Sequence, residues 1–183
     1  MVASTERKTK GLVASALVLT LASAAPVSTA AAFARRVPAD PNRLFVIERS
    51  VNANVVVYDA VRGRDGRLDT ADPVTAYWLM NADKGQRQAL STIEKLEAYG
   101  FDVANGPRGS VTITLKALKD RPIQIRASGA RAVAVTRIAG RDAVLRRVFV
   151  RTEKDHPLKV RYVELLGVAL RGGKAVRERI KPG

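Results

Sequence analysis

From Leu44 onward the chain breaks into short apolar or alternating runs divided by turn residues. Leu44-Phe45-Val46-Ile47, and Val55-Val56-Val57 within the run Asn54 to Tyr58, are apolar on successive positions, which predicts two central strands covered on both faces. Ser50-Val51-Asn52-Ala53 makes the turn between them. Arg62 to Pro73 is polar and carries an Asp65-Gly66 turn signal, and Val74 to Met80 returns as a strand with the only tryptophan, Trp78. Ser110 to Ala117 alternates cleanly, with Val111, Ile113, Leu115 and Ala117 on one face and Thr112, Thr114 and Lys116 on the other. Ile123 to Arg126, Ala132 to Ile138, Ala143 to Val150, Lys159 to Leu170 and Ala175 to Ile180 complete the runs. Turn signals fall between them at Ser128-Gly129, Ala139-Gly140, His156-Pro157 and Gly172-Gly173.

One helix is predicted. Asp83 with Gln86 three residues on fits a capping box, Leu90, Ile93 and Leu96 follow at helical spacing, and Gly100 stands where a C-cap glycine belongs. About nine strands with one packed helix, joined by short turns, predict a mainly β fold. Short connections favour antiparallel pairing, because parallel neighbours need a crossover of a dozen or more residues. So many strands cover their apolar faces by curling into an antiparallel barrel or folding into a sandwich.

The first 34 residues have a different texture. Arg7, Lys8 and Lys10 make a basic start, Gly11 to Ala25 is apolar, and Ala32-Phe33-Ala34 ends a run of small residues before Arg35. That order predicts a secretory signal peptide over residues 1–34 and an exported, periplasmic or extracellular protein. The apolar run falls short of the ~20 residues of a membrane span. An uncleaved anchor through residues 11–34 is the alternative. Residues 35–43, with Pro38, Asp40 and Pro41, read as a linker, and residues 44–183 as a single β-rich domain.

Composition narrows the classes. The chain has no cysteine, so its core relies on packing. The formal net charge is +15, from 32 Lys+Arg against 17 Asp+Glu. Removing Arg7, Lys8, Lys10 and Glu6 with the signal leaves 29 against 16, or +13. Such a balance favours anionic partners, although arginines alternating with apolar residues also describe the wet face of a strand.

Tests for chemistry return little. His156 is the one histidine and sits in a turn, so neither a nucleophilic triad nor a zinc site has its partners. Asp65, Asp69 and Asp72 share a loop at the wrong spacing for the one-three-five ladder of a calcium loop, and they read as turn formers. No glycine-rich phosphate loop precedes a helix, and four Tyr, four Phe and one Trp are few for a nucleic-acid-reading sheet. No metal, cofactor, specific nucleic acid or stable membrane span is expected, and the domain reads as a monomer. Glu48-Arg49, at the end of a central strand, must pair if both point inward.

The run Leu44 to Ser50 and the run Asn52 to Asp59 resemble the opening of the bacterial family catalogued as domain of unknown function 4833. Asp72-Pro73-Val74 with Tyr77-Trp78, and Ile93-Glu94 with Ala98-Tyr99-Gly100, are similar to its next two blocks. The resemblance runs from about Leu44 to Lys181. It implies an exported or envelope-associated β-rich domain and brings no activity, cofactor or site residue.

The function expected first is non-enzymatic binding in the cell envelope. The ligand would be a small apolar or amphipathic molecule inside the fold, or an anionic envelope component on the basic surface. A hydrolase or transferase using buried carboxylates, and a structural envelope protein, are the alternatives. Glu48, Arg49, Asn54, Tyr77, Trp78 and Tyr99 are the candidate binding residues.

Overall fold

The computed structural model describes residues 40–156 and 158–181. The expected signal, its cleavage site and residues 35–39 of the linker lie outside the described residues.

All nine expected runs form strands: β1 Arg43–Arg49, β2 Val55–Ala60, β3 Val74–Met80, β6 Val111–Leu115, β7 Ile123–Ser128, β8 Arg131–Ile138, β9 Arg141–Thr152, β10 Val160–Ala169 and β11 Ala175–Ile180. Two more appear, β4 Gln86–Ala89 and β5 Phe101–Asn105. They are the two ends of a nine-strand path, β4-β3-β2-β1-β9-β8-β7-β6-β5, which curls into a half-barrel. As edge strands, both are exposed along nearly their whole length, so neither carries the apolar pattern of a half-buried strand.

β9 is where the sheet divides. Its first residues pair with β8 and Arg147 to Val150 pair with β1, while its other edge is lined by β10 and then β11. The register against β10 skips Arg146, and this bulge lies where β9 changes partner. An extra residue in one strand bends it locally, so the two wings turn toward each other. Gly167, opposite the bend, is there for closeness: a Cβ would lie 2.5 Å from the Val144 carbonyl oxygen and 2.8 Å from Ile138 Cδ1.

Pairing is antiparallel throughout the described strands except between β1 and β9, which run parallel. The antiparallel expectation holds for every described pair but this one. It counted only the short turns, whereas the crossover between β1 and β9 is the whole of β2 to β8. The short turns themselves behave as expected. Ala139 and Gly140 both take positive φ, 49° and 74°, making the two-residue hairpin whose twist matches the flanking strands.

The helix also differs from expectation. Asp83 closes a 3-10 turn and Gln86 opens β4. The capping box is Ser91 with Glu94, and it starts α1, one α turn at Thr92–Glu94 that widens into a π turn at Lys95–Tyr99. Leu90 is buried, but Ile93 and Leu96 face solvent, so the three-residue spacing marked no core stripe. Gly100 has φ −70°, and its Cβ would collide with the Lys95 carbonyl oxygen. Glycine is needed there for the tight approach of the π turn rather than for a left-handed cap.

The core fills the inside of the curl. Leu44, Phe45 and Tyr58 from one wing meet Ile113, Leu115, Ile123 and Ile125 from the other, over Leu145 and Leu165. Phe45 and Tyr58 stack with ring centroids 4.4 Å apart. Each such buried side chain contributes about 1.5–3 kcal/mol, which lets packing stand in for disulfides. Val46, Val55, Val57, Tyr77 and Leu79 form a second, smaller cluster on the other face of the first wing.

Candidate functional site

Where the wings splay, the core does not close. β1, β9, β10, β11 and α1, with the chain after β6, enclose a cavity of about 830 Å3. Its apolar walls are Ile47 from β1, Val148 and Val150 from β9, Val163 from β10, Ile180 from β11 and Leu115 from β6. The alternation of each strand puts these side chains on the inner face.

Polar groups line it from β1 and α1, and also from the chain after β6 and after β11, where Lys119, Asp120, Arg121 and Lys181 stand. Arg49 follows Ile47 on the inner face of β1 and donates to the Tyr99 hydroxyl, and both residues line the cavity. Glu94 lines it too, accepting from the Ser91 backbone N–H at 2.8 Å, the Ser91 hydroxyl at 2.9 Å and Trp78 Nε1 at 3.0 Å. Burial alone would raise the Glu94 pKa. The Ser91 and Trp78 hydrogen bonds and the Arg49 charge outweigh it, so this carboxylate titrates below its ordinary range. Tyr99 is pushed up by burial, with Arg49 opposing and Glu94 adding to the shift. Trp78 meets Tyr99 edge to face at 5.3 Å.

The six candidate residues therefore divide. Arg49 and Tyr99 line the cavity, and Trp78 stands directly behind Tyr99. Glu48 and Tyr77 do not reach it. Glu48 is adjacent to Arg49 in an extended strand, so it points to the other face, where Arg147 Nη1 donates to it at 3.2 Å. Glu48 and Arg49 thus point apart, and the ion pair of this strand end is Glu48 with Arg147. Tyr77 lies in the outer cluster, donating to Asp59 Oδ2 at 2.7 Å beneath the Arg87 guanidinium, 4.6 Å from its ring centre. Burial, and then the Asp59 hydrogen bond and charge, push the Tyr77 pKa up to about 12. This cluster borders a second, more open hollow of about 610 Å3. Asn54 precedes β2 in the turn, with its backbone N–H donating to Asn52 Oδ1 at 3.1 Å.

Sequence reasoning passed over Ile93, Glu94 as a lining residue, and the apolar walls of β9 and β10. A period of two was signal enough to place Ile47 with Arg49, and Val148 with Val150, on common faces.

Buried carboxylates are committed elsewhere. Glu164 holds Arg177 at 2.6 Å and Arg179 at 3.2 Å, as Glu48 holds Arg147. Asp65 and Asp69 accept from backbone N–H groups two and three residues on, as turn formers do. Among the described residues no group of three or more His, Cys, Asp or Glu is placed to hold a metal ion, and no helix is long and apolar enough to cross a membrane.

Neither curated proteins nor solved structures give a match to this chain. A family match does exist, and it spans both wings, α1 and nearly every strand that lines the cavity. Over residues 45–179 the chain matches the family described as domain of unknown function (DUF4833), and it belongs to that family.

Proposed function

We propose that the domain is a non-enzymatic binding module, working outside the cytoplasm, that holds a small apolar or amphipathic ligand in the cavity between β1, β9, β10 and α1. The observation that carries this reading is the cavity: about 830 Å3, walled by Ile47, Val148, Val150 and Val163, with Arg49, Glu94 and Tyr99 among its polar lining groups. Ligand sites commonly fall between roughly 300 and 1,000 Å3, are mostly apolar, and use a few convergent polar groups to fix orientation. Here Arg49, Tyr99 and Glu94 supply those groups, so an apolar tail fits against the strands and a polar head beside Arg49. The placement outside the cytoplasm rests on the pattern of residues 1–34.

Trp78 makes the test direct, because it is the one tryptophan and packs on a cavity-lining tyrosine. Titration with palmitate and, separately, with dodecanol is expected to change Trp78 emission saturably at one site per chain. No saturable change with either probe would sink the proposal.

A further inference from the structure

The three most exposed large apolar side chains of the described residues lie on or beside the elements that line the cavity. They are Leu158 at 89%, Ile93 at 74% and Leu96 at 63%, against 43% or less for Val103, Val51 and Leu170. Ile93 and Leu158 both line the cavity and so flank its mouth, while Leu96 is one turn from Ile93 on α1. Isolated exposed apolar residues are ordinary, but two at the rim of a largely apolar cavity, with a third one helical turn away, mark an interaction surface. They project singly, two from a helical turn and one from the turn before β10. That shape suits insertion into a soft apolar phase better than burial against a flat partner.

The charge around them selects the phase. Lys119 and Lys181 line the mouth, Lys95 lies between Ile93 and Leu96 in the chain, and Lys154 and Lys159 flank Leu158. Glu97, Asp120 and Asp155 share this surface and Lys159 is paired with Glu153, so these five lysines against four carboxylates leave a balance of +1, on a chain of formal charge +15. We propose that the cavity mouth docks on an anionic lipid bilayer, with Ile93, Leu96 and Leu158 entering the interface and the surrounding lysines facing the headgroups. This goes beyond ligand binding and can stand or fall without it. Electrostatic attraction of exposed lysines alone fades near ~0.15 M salt, where the Debye length is about 8 Å. Apolar insertion does not fade in that way.

Cosedimentation with phosphatidylglycerol–phosphatidylcholine vesicles and with pure phosphatidylcholine vesicles across a salt series tests this. The protein is expected to bind the anionic vesicles at ~0.15 M salt and the neutral ones far less. The variant carrying Ile93→Ser, Leu96→Ser and Leu158→Ser keeps every charge and touches no buried residue. It is expected to bind roughly tenfold more weakly or worse at that salt, a change of about 1.4 kcal/mol. Leu170→Ser is expected to change nothing. Absence of binding to anionic vesicles at ~0.15 M salt, or equal binding by the triple variant, would overturn the proposal. So would a dimer of the parent that the triple variant dissolves, since a second copy would then be the occupant. Palmitate titration followed through Trp78 on the same variants reads the cavity separately.

Discussion

Tyr58, fully buried in β2, donates its hydroxyl hydrogen to the backbone carbonyl oxygen of Tyr99 at 2.7 Å. This bond ties the first wing of the sheet to the end of α1, across 41 residues of chain. It therefore holds the helical segment that walls the cavity. Tyr58→Phe keeps the stack on Phe45 and removes only the donor. Losing a buried hydrogen bond while leaving the carbonyl in place costs about 1–3 kcal/mol. The expected outcome in urea is a lower unfolding midpoint with an unchanged slope.

The strands that the sequence makes readable are those with one face wet or both faces covered. β6 reads as a strand because Val111, Ile113 and Leu115 are buried and Thr112 and Thr114 are not. β4, Gln86–Ala89, is exposed at every position, and nothing in its residue types demands a sheet. The helix is harder for a related reason. Asp83 with Gln86 and Ser91 with Glu94 both fit a capping box, and only burial of the residues that follow can choose between them. Ile93 and Leu96 supply the spacing of a core face yet face solvent, so periodicity favours the wrong start. The site was half legible for a simpler reason. Glu48-Arg49 and Tyr77-Trp78 are neighbours in strands, and neighbours in a strand point to opposite faces. One member of each pair had to face away: Glu48 and Tyr77 do, while Arg49 lines the cavity and Trp78 packs behind Tyr99.

Acid should weaken the fold through Glu178. Burial alone would raise its pKa. The Arg121 guanidinium, donating at 2.8 and 3.1 Å, and the Ala139 N–H at 2.7 Å outweigh that and hold it below its ordinary 4.5. A carboxylate depressed in the folded state contributes stability above the unfolded value and loses it as pH falls through the folded one. Stability is therefore expected to drop as pH falls below about 4.5. Glu178→Gln is expected to be less stable at pH 7 and to show a flatter acid limb in thermal melts. An acid limb identical to the parent's would remove Glu178 from this account.

Alkali should act through Tyr77 in the opposite sense. Its pKa is raised to about 12, chiefly by burial and then by the hydrogen bond to Asp59. A group raised in the folded state stabilises fully below its unfolded value, here 10.0, and that contribution disappears between pH 10.0 and about 12. The difference in ultraviolet absorbance titration between parent and Tyr77→Phe is expected to isolate one phenol ionising near pH 12. Asp59→Asn removes the facing charge and should bring that ionisation down.

The proposed export makes a prediction at the other end of the chain. Ala32 and Ala34 give the small residues that a signal peptidase requires, with Arg35 next. N-terminal sequencing of the protein recovered from an exporting bacterial host is expected to begin at Arg35. Membrane-bound material beginning at Met1 would instead favour an anchor through residues 11–34.

Filling the cavity separates ligand binding from folding. Ala98 lies on the π turn of α1, lines the cavity and is only partly buried. A phenyl ring at this position has open space ahead of it, so Ala98→Phe should add apolar contact rather than overpack a closed core. Its melting temperature is expected to stay within a few degrees of the parent's. Palmitate affinity, read through Trp78, is expected to fall at least tenfold, because the ring takes the volume that the tail needs. A contrasting variant, Val103→Phe, adds a ring on the exposed edge strand β5, away from the cavity lining, and should leave affinity unchanged. If Ala98→Phe bound palmitate as the parent does, the ligand would lie somewhere other than this cavity. If both variants lost binding together, the response of Trp78 would report a general disturbance of the fold.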